Sequence, residues 1–254
     1  MAPVAASTTM AHSASPEKAI YIVNPNSSSV ITSALAANLN PQTPPGCTLQ
    51  YVTGPPSSPS SIQDVSESVI SAAETFRALV ASSPGADLAQ HPASAFLVAC
   101  FSDHPLVGML RCKAPLKPAL HLLEAAVLHA LCAGARFGVL TTGRSVVADV
   151  EAGVRRVMGG NSDRYVGTHA TGLGVVELQT GSRAKVEDKI RRGAQELVGK
   201  GADVIVLGCA GMTGMEPLVR AACEGVGETD VKVVDGAKAG LQILAGLARV
   251  DYRS

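Results

Sequence analysis

The chain has 254 residues, with 21 Lys plus Arg against 21 Asp plus Glu, 46% apolar residues, four Phe, four Tyr and no Trp. It is too apolar and too weakly charged for disorder, and zero net charge with few rings excludes a nucleic-acid surface, which needs basic stripes and stacking aromatics. What remains is an α/β-type enzyme or small-molecule binder, as one large domain or two of about 100–150 residues.

Residues 1–18, rich in Ala, Ser and Thr, read as a flexible tail. They hold no Arg and no apolar run of signal-peptide length. No stretch approaches the ~18–20 apolar residues of a membrane span. The expectation is therefore a cytoplasmic protein with free thiols and no membrane partner. The apolar run 19–23 reads as a buried parallel strand. It stops at Asn24-Pro25-Asn26-Ser27-Ser28, a turn ahead of a helix over 28–39. A strand over 48–52, a Pro/Ser loop over 54–61 and a helix over 61–80 follow, the last from the spacing of its apolar positions. A loop over 81–93 leads to a strand over 94–99, which ends at Cys100. A helix over 105–111 is expected from Pro105 in its first turn, with Asp103 as its N-cap. A buried helix over 119–133 and a strand over 136–142 come next, then a helix to about 158 and a strand with irregular chain over 165–178. An amphipathic helix over 183–199 precedes a strand over 203–208 that ends at Cys209. A short helix, a strand over 231–234 and a helix over 236–249 close the chain. Strands alternating with helices imply parallel sheets joined by right-handed crossovers.

The chain echoes itself. Ala95–Cys100 followed by Arg111 matches Val204–Cys209 followed by Arg220, and the stretch 20–28 resembles 137–145. The echo points to two similar α/β lobes facing each other, each offering one cysteine. Lobe 1 is read as 19–114 plus 235–254, and lobe 2 as 115–234. Ligands of open α/β sheets bind beyond the carboxyl ends of the strands. A thiol there is expected beside a helix N-terminus that favours thiolate. At a pKa near 8.5 about 3% of a thiol is ionised at pH 7, so a modest shift yields a usable base. Cys47, Cys112, Cys132 and Cys223 read as core residues. No close Cys pair suggests a metal, and no phosphate or dinucleotide loop is present. Two thiols across one cleft suit proton removal from a carbon beside a carbonyl on one face and return on the other.

These residues resemble the aspartate/glutamate/hydantoin racemase superfamily, nearest its hydantoin and allantoin branch. The resemblance is carried by 22–28, 97–107, Pro118 with Glu124-Ala125-Ala126, 137–143, 204–212 and 233–236. It implies two pseudo-symmetric doubly wound lobes with the active site in the cleft between them. It further implies no cofactor, a racemase or epimerase activity and a homo-oligomer. Cys100 and Cys209 take the two catalytic positions. Asn24, Ser27, Phe101, Ser102, Thr141, Thr142, Gly208, Ala210 and Gly211 take the substrate loops. No charged side chain directly follows either cysteine, which favours a small neutral ring with carbonyls over a free amino acid. His121 stands where the family usually has Gly, so it is expected at the cleft, narrowing it or adding an acid/base group. His104 reads as a turn residue, and Glu124 as a tie between loops. The competing readings are a same-fold isomerase, cyclisation catalyst or decarboxylase in a specialised pathway, and a binder without activity.

Overall fold

A computed structural model describes residues 17–174, 177–178 and 181–250. Most of the expected tail, 1–16, lies outside the described residues. Lys18, assigned to that tail, instead opens the first strand, where its N–H meets Gly46 O at 3.0 Å. The strands are β1 (Lys18–Asn24), β2 (Cys47–Thr53), β3 (Ala95–Val98), β4 (Ala119–His121), β5 (Phe137–Thr141), β6 (Tyr165–Ala170), β7 (Val204–Leu207) and β8 (Lys232–Asp235). The helices are α1 (Ser29–Leu39), α2 (Val65–Ala81), α3 (Pro105–Lys113), α4 (Leu122–Ala133), α5 (Val147–Met158), α6 (Arg183–Gly199), α7 (Glu216–Glu224) and α8 (Gly236–Leu247).

The strands form two four-stranded sheets, ordered β2-β1-β3-β4 and β6-β5-β7-β8, with every described pairing parallel. The second order is the first with four added to each strand number, so the echo in the sequence is an echo in topology. β3 and β7 are fully buried runs of four residues, as strands covered by helices on both faces must be. One apolar core runs from β1 and β3 through α4 and α8 to β5 and β7, and α4 packs on α5, β7 and α8. Among the described residues no helix is long and apolar enough to cross a membrane.

Three expectations are corrected. The apolar run 119–133 is not one helix: residues 119–121 form β4, paired with β3 through Phe96↔Ala119 and Val98↔His121. Continuous apolarity cannot separate a buried strand from a buried helix, and Pro118 favours extended chain before it. In consequence the first sheet extends past residue 114. The helix expected from 61 starts at Val65, because Asp64 caps it by accepting the Glu67 N–H at 2.9 Å. Helix α3 is capped by His104, not Asp103: the His104 Nδ1 accepts the Leu106 N–H at 3.3 Å.

Candidate active site

In each sheet the chain order reverses between two central strands, β1 and β3 in the first, β5 and β7 in the second. Such reversal points open a crevice at the carboxyl ends of the strands. Here the loops after β1, β3, β5 and β7 meet from opposite sides and enclose a cleft of about 60 Å³. Cys100, Phe101, Thr141, Thr142, Gly208, Cys209 and Ala210 all line it. A Cβ on Gly208 would lie 2.6 Å from Val139 Cγ1 and 3.0 Å from Leu140 O, so glycine lets β7 end flush against β5. Thr141 adds a cross-tie, its Oγ1 donating to Gly208 O at 2.9 Å. Among the described residues no Asp, Glu, Lys, Arg or His lines this cleft.

The other expected residues stand behind the wall. Asn24 is fully buried. Its Nδ2 donates to Ser28 O at 2.9 Å and Thr32 Oγ1 at 3.0 Å, and its Oδ1 accepts the Asn26 N–H at 3.1 Å. It shapes the loop that presents Asn26. Ser27 ties the same loop to the Pro/Ser segment, its N–H donating to Pro59 O at 3.0 Å. Ser102 Oγ lies 3.2 Å from Cys100 Sγ, and the Gly211 N–H donates to Cys209 Sγ at 3.4 Å.

His121 is not a cleft residue. Its Nδ1 accepts the Glu124 N–H at 3.0 Å as the cap of α4, which leaves Nε2 carrying the proton, 3.5 Å from Asp103 Oδ1. Burial pushes its pKa down to about 4, which favours the neutral ring at pH 7. His104 likewise uses Nδ1 as a cap and places Nε2 3.0 Å from Ser71 Oγ, with burial pushing it down to about 3. Both histidines therefore favour the native state above pH 6.5 and lose that contribution as pH falls toward 4, at up to about 1.4 kcal/mol per unit each. The thermal midpoint should fall steadily below pH 6.5, and His121→Asn, which keeps a cap, should flatten part of that slope. Glu124 clasps Arg111 Nη2 at 2.9 and 3.0 Å, tying α4 to α3.

The thiols differ from expectation. Helix α3 begins five residues after Cys100, so the chain does not run directly from that thiol into the helix. Burial pushes Cys100 up to about 12. Ser102 opposes this, and the charge of Cys209 adds to it. Burial also raises Cys209, but three donors oppose it: the Gly211 and Met212 N–H groups of a short turn (Ala210–Met212) and the Thr142 hydroxyl. Mutual repulsion keeps the pair from ionising together.

Sequence reasoning missed Asn26, Ile31, Ser61, Ile62, Ala99 and Val146, which complete the cleft wall. Asn26 is buried, and its Oδ1 has no hydrogen-bond partner among the described residues. Ser61, Ile62 and Val146 lie in the loops after β2 and β5, so the rule that ligands meet the carboxyl ends of strands could have found them. Beyond the cleft lies a second cavity of about 260 Å³, formed by the N-terminal turns of α2 and α5 and the Cys100–Asp103 loop.

The family description Asp/Glu/Hydantoin racemase matches residues 20–244, and the chain belongs to that family. It is 38% identical over 233 residues to an uncharacterized protein of Schizosaccharomyces pombe, covering 91% of this chain and 92% of that one. It is 27% identical over 236 residues to a hydantoin racemase of Paenarthrobacter aurescens, covering 92% and 93%. The fold is similar to that of an allantoin racemase from Pseudomonas fluorescens, with TM-score 0.76, 25% identity and 91% of each chain covered.

Proposed function

We propose that this member of the Asp/Glu/hydantoin racemase family is a cofactor-independent racemase of 5-substituted hydantoins or allantoin. The observation that carries the reading is one small uncharged cleft with a cysteine from each lobe on its wall. A free amino acid would bring a carboxylate and an ammonium into a space with no countercharge, and burying unpaired charge is costly. A neutral ring needs only hydrogen bonds. Asn26 Oδ1 is an acceptor awaiting a ring N–H. The Thr142 hydroxyl and backbone N–H groups can donate to a ring carbonyl as negative charge develops on its oxygen.

The chemistry is a pair of proton transfers. One thiolate takes the proton from C5, and the C–H electron pair passes into the adjacent carbonyl to give the enolate. The opposite thiol then protonates C5 from the other face and becomes the thiolate. Each turnover exchanges the protonation states of the two sulfurs, and no cofactor is required. His121, held as a helix cap, takes no part.

The test is to incubate one enantiomer in D2O against an enzyme-free blank. Optical rotation should decay with one deuterium entering C5 per inversion. Decay no faster than the blank for allantoin and for 5-alkyl and 5-benzyl hydantoins would overturn the reading. Because burial raises both thiols, the rate should climb close to tenfold per pH unit from pH 6 to 8. The same shifts make native stability fall as pH rises above about 9, where an unfolded thiol ionises and a buried one does not.

A further inference from the structure

The inner cleft of about 60 Å³ has room for the reacting edge of a ring and little more, and the second cavity of about 260 Å³ opens from it. The two share Ile62, Cys100, Phe101 and Val146, whereas Cys209 borders the inner cleft and not the outer cavity. A substituent on the carbon between the sulfurs thus has its exit on the Cys100 side, past Ile62 and Val146. Beyond that gap most of the wall is apolar, with Val65 on α2 and Val150 on α5 lining the space and Gln63, Ser68 and Ser102 as its neutral polar residues. The charges come last. Asp103 is held by Arg156 in an ion pair, and Asp64 and Asp149 remain, an excess of negative charge.

We propose that the outer cavity is a specificity subsite for the substrate's C5 substituent, that it selects a neutral apolar group such as benzyl or isobutyl, and that Ile62 at the junction sets the selection. The inference rests on the racemase reading and narrows it: the polar ureido group of allantoin and a carboxymethyl group are the disfavoured substituents. An apolar group gains from every methylene it removes from water. A ureido group gives up its water hydrogen bonds along a mostly apolar wall, where only Gln63, Ser68 and Ser102 offer neutral polar partners, and a carboxylate also meets the aspartates.

The experiment compares kcat/KM for 5-benzylhydantoin, allantoin and 5-carboxymethylhydantoin in wild type, Ile62→Ala and Val65→Lys, with circular dichroism as a fold control. Val65 is 61% exposed, so the lysine is tolerated. Wild type should prefer the benzyl compound by about tenfold or more. Ile62→Ala should lose about tenfold on it while changing allantoin little, and Val65→Lys should raise the relative rate with the carboxymethyl compound. Allantoin turned over as well as the benzyl compound, or Ile62→Ala lowering both equally, would overturn the subsite. Protection of Cys100 from iodoacetamide by 5-benzylhydantoin is read alongside. Protection without turnover upholds the subsite and sinks the racemase reading; no protection at millimolar ligand overturns the subsite.

Discussion

Cys100→Ser and Cys209→Ser should each lower racemisation by about a thousandfold or more, the scale at which a positioned proton-transfer group acts. Cys100 and Cys209 follow two strands of different sheets, β3 and β7, and both line the inner cleft. Inversion needs both faces of C5, so one missing thiol stops it however well the other is placed. The double variant should be little worse than either single one, because residues that act as a unit give non-additive losses. Serine is close in size, so the fold should persist, and circular dichroism and the thermal midpoint check that the loss is chemical. Retention of more than a tenth of wild-type racemisation by either variant would remove that cysteine from the mechanism.

Asn24→Leu should be the most damaging substitution outside the cysteines. One fully buried carboxamide holds Ser28 O, Thr32 Oγ1 and the Asn26 N–H. Leucine keeps the volume and strands the buried Asn26 N–H and the part-buried Ser28 O, at about 1–3 kcal/mol each, while Thr32 Oγ1 keeps Thr53 Oγ1 at 2.7 Å. The expected loss is about 3 kcal/mol or more of unfolding free energy by urea titration. Activity should fall beyond what the unfolded fraction explains, since Asn26 loses its anchor. Asn24→Asp keeps the acceptor for Asn26 and loses the two donors, so it should lie between. An Asn24→Leu protein as stable and active as wild type would show that the loop after β1 holds itself.

Much of this was legible in the sequence because the informative signals are local. Two short apolar runs, each ending in Cys and each followed by an Arg eleven residues on, point to the repeat that the sheet orders β2-β1-β3-β4 and β6-β5-β7-β8 make explicit. The strand at 119–121 is hidden from local signals because its state is decided by a partner distant in sequence. Residues 119–121 become a strand because β3 offers an open edge. His121 stands where the resemblance implies a cleft loop, yet its ring turns to cap α4, a direction that no spacing rule gives. Asn26 and Ile62 sit in loops whose convergence depends on both sheets. The thiol shifts follow from enclosure, which the sequence does not encode locally, so the expected helix N-terminus gave the wrong sign for Cys100.

The central claim is that two sulfurs reach one carbon from opposite faces. The measurement that tests it most directly is loss of C5 deuterium to water from each pure enantiomer of a labelled 5-benzylhydantoin, using Cys100→Ser and Cys209→Ser separately. The account predicts a complementary pattern: each variant washes the label from one enantiomer without inverting it, and the two variants choose opposite enantiomers. Both variants exchanging the same enantiomer, or neither exchanging any above the blank, would contradict it.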